Sequence, residues 1–270
     1  MNGSIHIRAR GSGPPVLFLH GFPTSGRLWD GVVENMADRF TCLTMDLPGL
    51  GRTAPSANGF RDLHAVASAV EEVRLRRGIE QWHIAAHDAG CAVAVHYAHR
   101  YPRSTGSLAL LTPSMFPDLK PFYLFEVLRK PIVGELLAPL INLLFWTVAM
   151  PAALDHRKEW TSAVHDFRAP FHGFRGSWRL MSLMRWGSPA EVLAKIPLLL
   201  AELRTPALVF HGSRDPVVPE TFARRVLGLL PGSELVLLNS GHFLPLNEAQ
   251  SVTIELLRFF AAHPAAKPRN

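Results

Sequence analysis

Along the first hundred or so positions, short unbroken apolar runs alternate with stretches in which apolar residues recur every three or four positions. After a polar N-terminus that leads straight into a strand, the run Pro15 to His20 is bounded by the turn residues GSG before it and GFPTSG after it. A short apolar run closed off by turn signals at both ends reads as a buried strand. A helical pattern from Arg27 to Asp38 follows, then a second strand from Phe40 to Asp46 that ends in the loop LPGLGRT. Leu63, Val66, Val70 and Val73 recur at helical spacing and predict a helix over Arg61 to Arg77. A strand at Gln81 to His87, a helix from Gly90 to His99 and a strand at Ser107 to Thr112 complete this half. Strands separated by whole helices imply parallel pairing with right-handed crossovers.

The alternation stops at Pro113. From there to Pro197 the chain is helix-rich and aromatic, carries several prolines and offers no good strand. It resumes with a strand at Ala207 to His211, a helix from Glu220 to Leu230, a strand at Glu234 to Asn239 and a closing helix from Glu248 to Ala261. The expected organisation is therefore a parallel-dominated α/β sheet formed by residues 1–112 and 198–270, with residues 113–197 inserted as a helical lid. A structureless loop of that length does not fit a compact domain. Leu136 to Leu154 carries no formal charge and approaches the length of a membrane span. Pro139, Asn142, Pro151 and its mid-chain position favour a buried or lid helix pair. A membrane anchor is the competing reading, tested by solubility without detergent.

Composition narrows the classes further. Of 270 residues, 48% are hydrophobic and 19% charged, which excludes a disordered or fibrous chain. The net charge of +6 is spread along the chain without a nucleic-acid reader motif, so nucleic-acid binding is not expected. Cys42 and Cys91 lack disulfide or metal-type spacing and read as small buried thiols of a reducing compartment. With no secretory signal pattern at the N-terminus, a cytoplasmic protein is expected. Repeats and low-complexity tracts are absent, and residues 263–270 read as a polar tail.

Four loops at strand ends carry candidate chemistry, and in open parallel sheets such loops converge. His87-Asp88-Ala89-Gly90 joins a strand directly to a helix, with the small residues Ala86 and Gly90 two positions either side of Asp88. That is the form of a nucleophile elbow, written G-x-S-x-G in its serine version, with Ala in place of the first Gly. Aspartate tolerates the left-handed backbone that such a turn demands. The alternative is that Asp88 merely caps the following helix. His20-Gly21-Phe22-Pro23 has the form of an oxyanion loop, with the N–H groups of Phe22 and Ala89 as the two donors. Asp215 follows one later strand and His242 the next, which gives the order nucleophile, acid, histidine.

From HGFPTS to GH, the chain resembles the α/β-hydrolase superfamily over nearly its whole length. Its HD-x-G elbow resembles the epoxide hydrolase and haloalkane dehalogenase branch, in which the nucleophile is aspartate. SMFPDLKP and LRKPIVGELL within residues 113–146 are loosely similar to the mesoderm-specific-transcript group. A carboxylate that attacks a carbonyl gains little, whereas one that displaces at a saturated carbon forms a hydrolysable ester. Asp88 would then form the ester, and His242, oriented by Asp215, would activate the water that cleaves it. No metal or organic cofactor is required.

The resemblance also frames the leaving group. Dehalogenases of that branch hold the halide with N–H donors at the positions of Ala89 and Phe22, where this chain has none in a side chain. Fluoroacetate dehalogenases place an arginine where Ala89 stands. The lid tryptophans Trp146, Trp160, Trp178 and Trp186 are substitutes for the missing donors or, on the plainer reading, core packing. Epoxide hydrolases use lid tyrosines to protonate the opening alkoxide, and Tyr123 is the possible lid acid here. Met181 stands where a second tyrosine is sought, and His165 and His172 are the other lid candidates. Epoxide opening is thus expected by elimination, with dehalogenation second and a non-catalytic protein of the same fold as the third possibility. The apolar lid implies a small hydrophobic substrate. Oligomeric state is not legible.

Overall fold

In the computed structural model, which describes residues 5–55, 61–120, 122–154, 162–185 and 189–265, the apolar runs become seven strands. These are β1 (Ile7–Arg10), β2 (Pro15–Leu19), β3 (Thr41–Met45), β4 (Trp82–His87), β5 (Thr105–Leu111), β6 (Ala207–Gly212) and β7 (Glu234–Leu238). They form one sheet in the order β1-β3-β2-β4-β5-β6-β7. β1 pairs antiparallel with β3, and every other pairing is parallel. All six residues of β4 are buried, because helices cover both faces of the central sheet. The edge strands β1 and β7 are largely exposed or half-buried, as strands with an uncovered side should be.

The helices between strands follow the sequence pattern closely. They are α1 (Asp30–Met36), α2 (Leu63–Arg76) and α3 (Gly90–Arg100) in the first half. The helix read over Arg27 to Asp38 divides into a 3₁₀ turn, Gly26–Trp29, and α1. Between β5 and β6 lie α4 (Tyr123–Arg129), α5 (Val133–Leu144), α6 (Met150–Ala153), α7 (Ser162–Arg168), α8 (Gly173–Met184), α9 (Pro189–Val192) and α10 (Ile196–Glu202). The chain closes with α11 (Glu220–Leu229), α12 (Leu244–Asn247) and α13 (Ala249–Ala262).

One expectation is corrected here. The apolar stretch 136–154 is not a helix pair: α5 runs through a π turn, Phe145–Ala149, into α6 as a single helical run, Val133–Ala153. Pro139 is accommodated inside α5, and Pro151 lies just past the π turn. Nor is the run wholly buried. Ala138, Ile141, Asn142, Phe145 and Trp146 face inward, while Leu136, Leu140, Leu143 and Val148 are exposed.

The strand order reverses at β2, whose neighbours are β3 on one side and β4 on the other. At such a switch point the loops leaving adjacent strands diverge to opposite faces and open a crevice beyond their carboxyl ends. The loops after β2 and β4 are those of Phe22 and Asp88.

Candidate active site

Asp88 occupies the turn between β4 and α3 with a left-handed backbone, φ 51°. Its peptide is pinned by the bond from Asp88 N–H to Leu111 O at the end of the neighbouring strand (3.0 Å). The tightness explains the small flanking residues. A Cβ at Gly90 would lie 2.6 Å from His20 O, and one at Gly21 would lie 2.3 Å from Asp88 Oδ2. The Asp88 carboxylate does not cap α3, which has no side-chain cap. It turns instead toward the loop after β2, where Phe22 N–H donates to Oδ2 at 2.9 Å. One carboxylate oxygen thus sits against the N–H expected from the sequence as an oxyanion donor.

That loop is fixed from below by His20. Leu47 N–H donates to His20 Nε2 (2.9 Å), which leaves Nδ1 to carry the proton and donate to Gly21 O (2.9 Å). Burial lowers the pKa of this imidazole despite the nearby carboxylates of Asp46 and Asp88, so it stays neutral. Asp46 ties down the adjoining segment by accepting from Gly26 N–H (2.7 Å) and Arg52 N–H (2.8 Å). The Phe22–Pro23 peptide is cis.

His242 stands on the opposite side of Asp88. Its Nδ1–H donates to Asp215 Oδ2 at 2.8 Å, because an ionised carboxylate can only accept. Asp215 is oriented in turn by Val217 N–H (2.7 Å) and Val218 N–H (3.1 Å), both donating to Oδ1. Nε2 of His242 is left bare and lies 3.8 Å from Asp88 Oδ1. Burial works against a charge on His242, but the carboxylates of Asp215 and Asp88 outweigh it and raise its pKa above 6.5. For Asp215, burial is outweighed by His242 and the backbone N–H groups, and its pKa is lowered. His87 and Thr112 hold the backbone of this histidine: His87 Nε2–H donates to His242 O at 2.9 Å, and Thr112 Oγ1 approaches the same oxygen at 3.4 Å. Burial pushes the pKa of His87 down to about 4, so it is a neutral support against the His242 ring.

Asp88, Ala89, Phe22 and His242 all line one cavity of about 490 Å³. Its walls are mainly apolar and include Leu50, Phe125, Phe145, Met150 and Leu183. Beyond Asp88 and His242, the polar residues on its wall are Ser114, Lys120 and Arg129. Arg129 is engaged by Met184 O and Glu126. Ser114 is 8% exposed, and its hydroxyl has no hydrogen-bond partner among the described residues. Sequence reasoning missed it. The signal available was a small polar residue just beyond β5, the strand beside the elbow.

The lid candidates do not converge on the site. Tyr123 begins α4 at 75% exposure and does not line the cavity, because the helix turns its first residue outward while Phe125 points in. His165 and His172 are exposed, Trp178 is partly exposed, and Met181 is buried away from the cavity wall. Trp146 is buried against Phe145 and Phe171 as packing. Trp160 and Trp186 lie outside the described residues. Cys42 and Cys91 are buried free thiols whose pKa values are raised by burial.

Comparison with known proteins agrees with this geometry. The sequence profile of a family described as alpha/beta hydrolase fold matches residues 14–249. A haloalkane dehalogenase of Mesorhizobium japonicum is 28% identical over 266 residues, which span 92% of this chain and 84% of that protein. A solved structure of a putative ancestral haloalkane dehalogenase superposes with a TM-score of 0.80 at 25% identity, covering 98% of each chain. An epoxide hydrolase, CorEH, shares the fold with a TM-score of 0.79 at 21% identity, over 96% of this chain and 95% of its own.

Proposed function

Because this chain belongs to the α/β-hydrolase fold family, we propose that it hydrolyses a small hydrophobic substrate through an ester formed on Asp88. Residues 113–197 serve as the cap over a core of residues 1–112 and 198–270. The observation that carries the reading is the placement of one carboxylate between an oxyanion donor and a bare imidazole nitrogen. A serine nucleophile must give up a proton, so its base has to sit within hydrogen-bond reach of it. Asp88 has no proton to lose, and the 3.8 Å separation from His242 Nε2 leaves the imidazole to act on water.

The steps follow from that arrangement. Asp88 attacks a saturated carbon, and the leaving group departs with the bonding electron pair. His242 takes a proton from water, the hydroxide adds to the Asp88 carbonyl carbon, and the N–H groups of Phe22 and Ala89 stabilise the oxyanion. Collapse of this intermediate expels an alkoxide that takes the proton back from His242, and the Asp88 carboxyl releases its remaining proton to solvent to return as the carboxylate. An epoxide suits the cavity because its opening oxygen needs a hydroxyl-type donor, and Ser114 offers one on a mainly apolar wall. Dehalogenation is the second reading, favoured by the full-length similarity to a haloalkane dehalogenase.

His242→Gln incubated with small apolar epoxides and haloalkanes in parallel tests the mechanism and the leaving group together. The expected result is an adduct on the peptide that contains Asp88, absent from Asp88→Asn, with diol rather than halide released by the wild-type enzyme. Halide release without diol would select the second reading. Turnover by Asp88→Asn at the wild-type rate would remove the mechanism. Ser114→Ala should slow adduct formation from epoxides and leave hydrolysis of a preformed adduct unchanged.

A further inference from the structure

The cap has an outer surface that the catalytic reading does not use. Along the helical run Val133–Ala153, Leu136, Leu140 and Leu143 recur on one stripe, with Ile132 just before it. Their exposures are 75%, 52%, 51% and 75% in that order. Val133, Leu137 and Val148 broaden the stripe. On α8, which packs alongside α5, Phe174 and Trp178 are exposed and meet edge to face at 5.9 Å. So many exposed large apolar side chains on two packed helices are uncommon on a monomer that meets only water.

The charges around it are one-sided. Among the described residues, Asp118, Glu126, Glu135 and Asp166 are each paired with an arginine: Arg225, Arg129, Arg185 and Arg27 respectively. Lys120, Lys130, Arg168 and Arg175 make no ion pair among the described residues. Lys130 directly precedes the apolar stripe, and Arg175 lies between Phe174 and Trp178. Among the described residues, the charges left unpaired around these helices are therefore cationic.

We propose that this outer face of the cap docks on an anionic lipid surface, with the apolar stripe entering the headgroup boundary and the unpaired cations meeting lipid phosphates. An apolar helix face with aromatic residues and a cationic margin is the arrangement that lies in a membrane interface. Lying on the bilayer, not crossing it, follows from the inner face of the same run. Asn142 Nδ2 donates to Phe171 O (2.7 Å) and to Ser177 Oγ (3.2 Å), and His242 N–H donates to Ala153 O (3.2 Å). A spanning helix would forfeit all three. A second copy of the chain is the poorer occupant, since it would set one positive margin against another. Phe122 and Lys120 line the cavity and are exposed at the surface.

Flotation of the full chain with phosphatidylcholine vesicles, with and without phosphatidylglycerol, tests the proposal. Wild-type protein should float with the anionic vesicles at low salt and lose most of that binding at high salt. Leu136→Glu with Leu140→Glu, and separately Lys130→Glu with Arg175→Glu, should each weaken binding by at least about tenfold, with circular dichroism unchanged. Failure of wild-type protein to float with either vesicle would overturn the proposal. So would variants that bind like wild type, or a dimer in solution that Leu136→Glu with Leu140→Glu disperses while vesicles leave it intact.

Discussion

The tight elbow that carries Asp88 was legible because its neighbours are small for a steric reason that the chain writes directly. Gly90 and Gly21 are places where a single added carbon meets His20 O or the carboxylate itself. Gly21→Ala should therefore lower turnover by about 10²-fold with the fold intact, since displacement of a reacting group by an ångström costs that much. Thermal unfolding beside a kcat measurement checks it. Asp215→Asn removes the charge that holds His242 in its working tautomer, and a loss of about 10⁴-fold in kcat is expected. In the proposed mechanism the neutral form of His242 is the base, and its pKa is raised above 6.5, so activity should rise with pH through a midpoint above 6.5 and fall away below it. A kcat profile in which that limb lies lower in Asp215→Asn than in wild type would tie the shift to this pair. Ser114 and Tyr123 were the residues least open to sequence reasoning. Each depends on which way a single side chain turns at the start of a helix or the end of a strand, and periodicity carries no such information.

At the scale of elements, strand positions were read to within a residue or two, because buried parallel strands must be apolar throughout. The Val133–Ala153 run was harder. Its prolines argue for a break, yet the run continues past Pro139 and through the π turn at Phe145–Ala149 to Pro151. Its polar tether is Asn142, 7% exposed, which supplies a donor to Phe171 O. Asn142→Leu leaves that carbonyl without its partner in an apolar setting and should destabilise the protein by about 1–3 kcal/mol, seen as a lower urea midpoint.

For the whole molecule, the α/β alternation and its interruption at Pro113 were enough to anticipate the sheet, but not how the inserted helices attach to it. Those attachments are specific polar ties: Arg27 to Asp166, Arg179 to Gly49 O at 2.8 Å, and Arg225 to Asp118 at 2.7 Å. They join residues far apart in sequence, so no local pattern announces them. Their effect is to close an apolar ceiling over loops converging at the sheet's switch point. The cavity beside the Asp88 carboxylate is thereby walled mainly by apolar side chains.

The most direct test of the account is a single turnover of wild-type enzyme on a small apolar epoxide in oxygen-18 water. Attack by Asp88 predicts unlabelled diol and one heavy oxygen in the Asp88 side chain, read by mass spectrometry of the isolated peptide. Labelled diol with an unlabelled Asp88 would mean that water reaches the substrate carbon directly, and the carboxylate would not be the nucleophile.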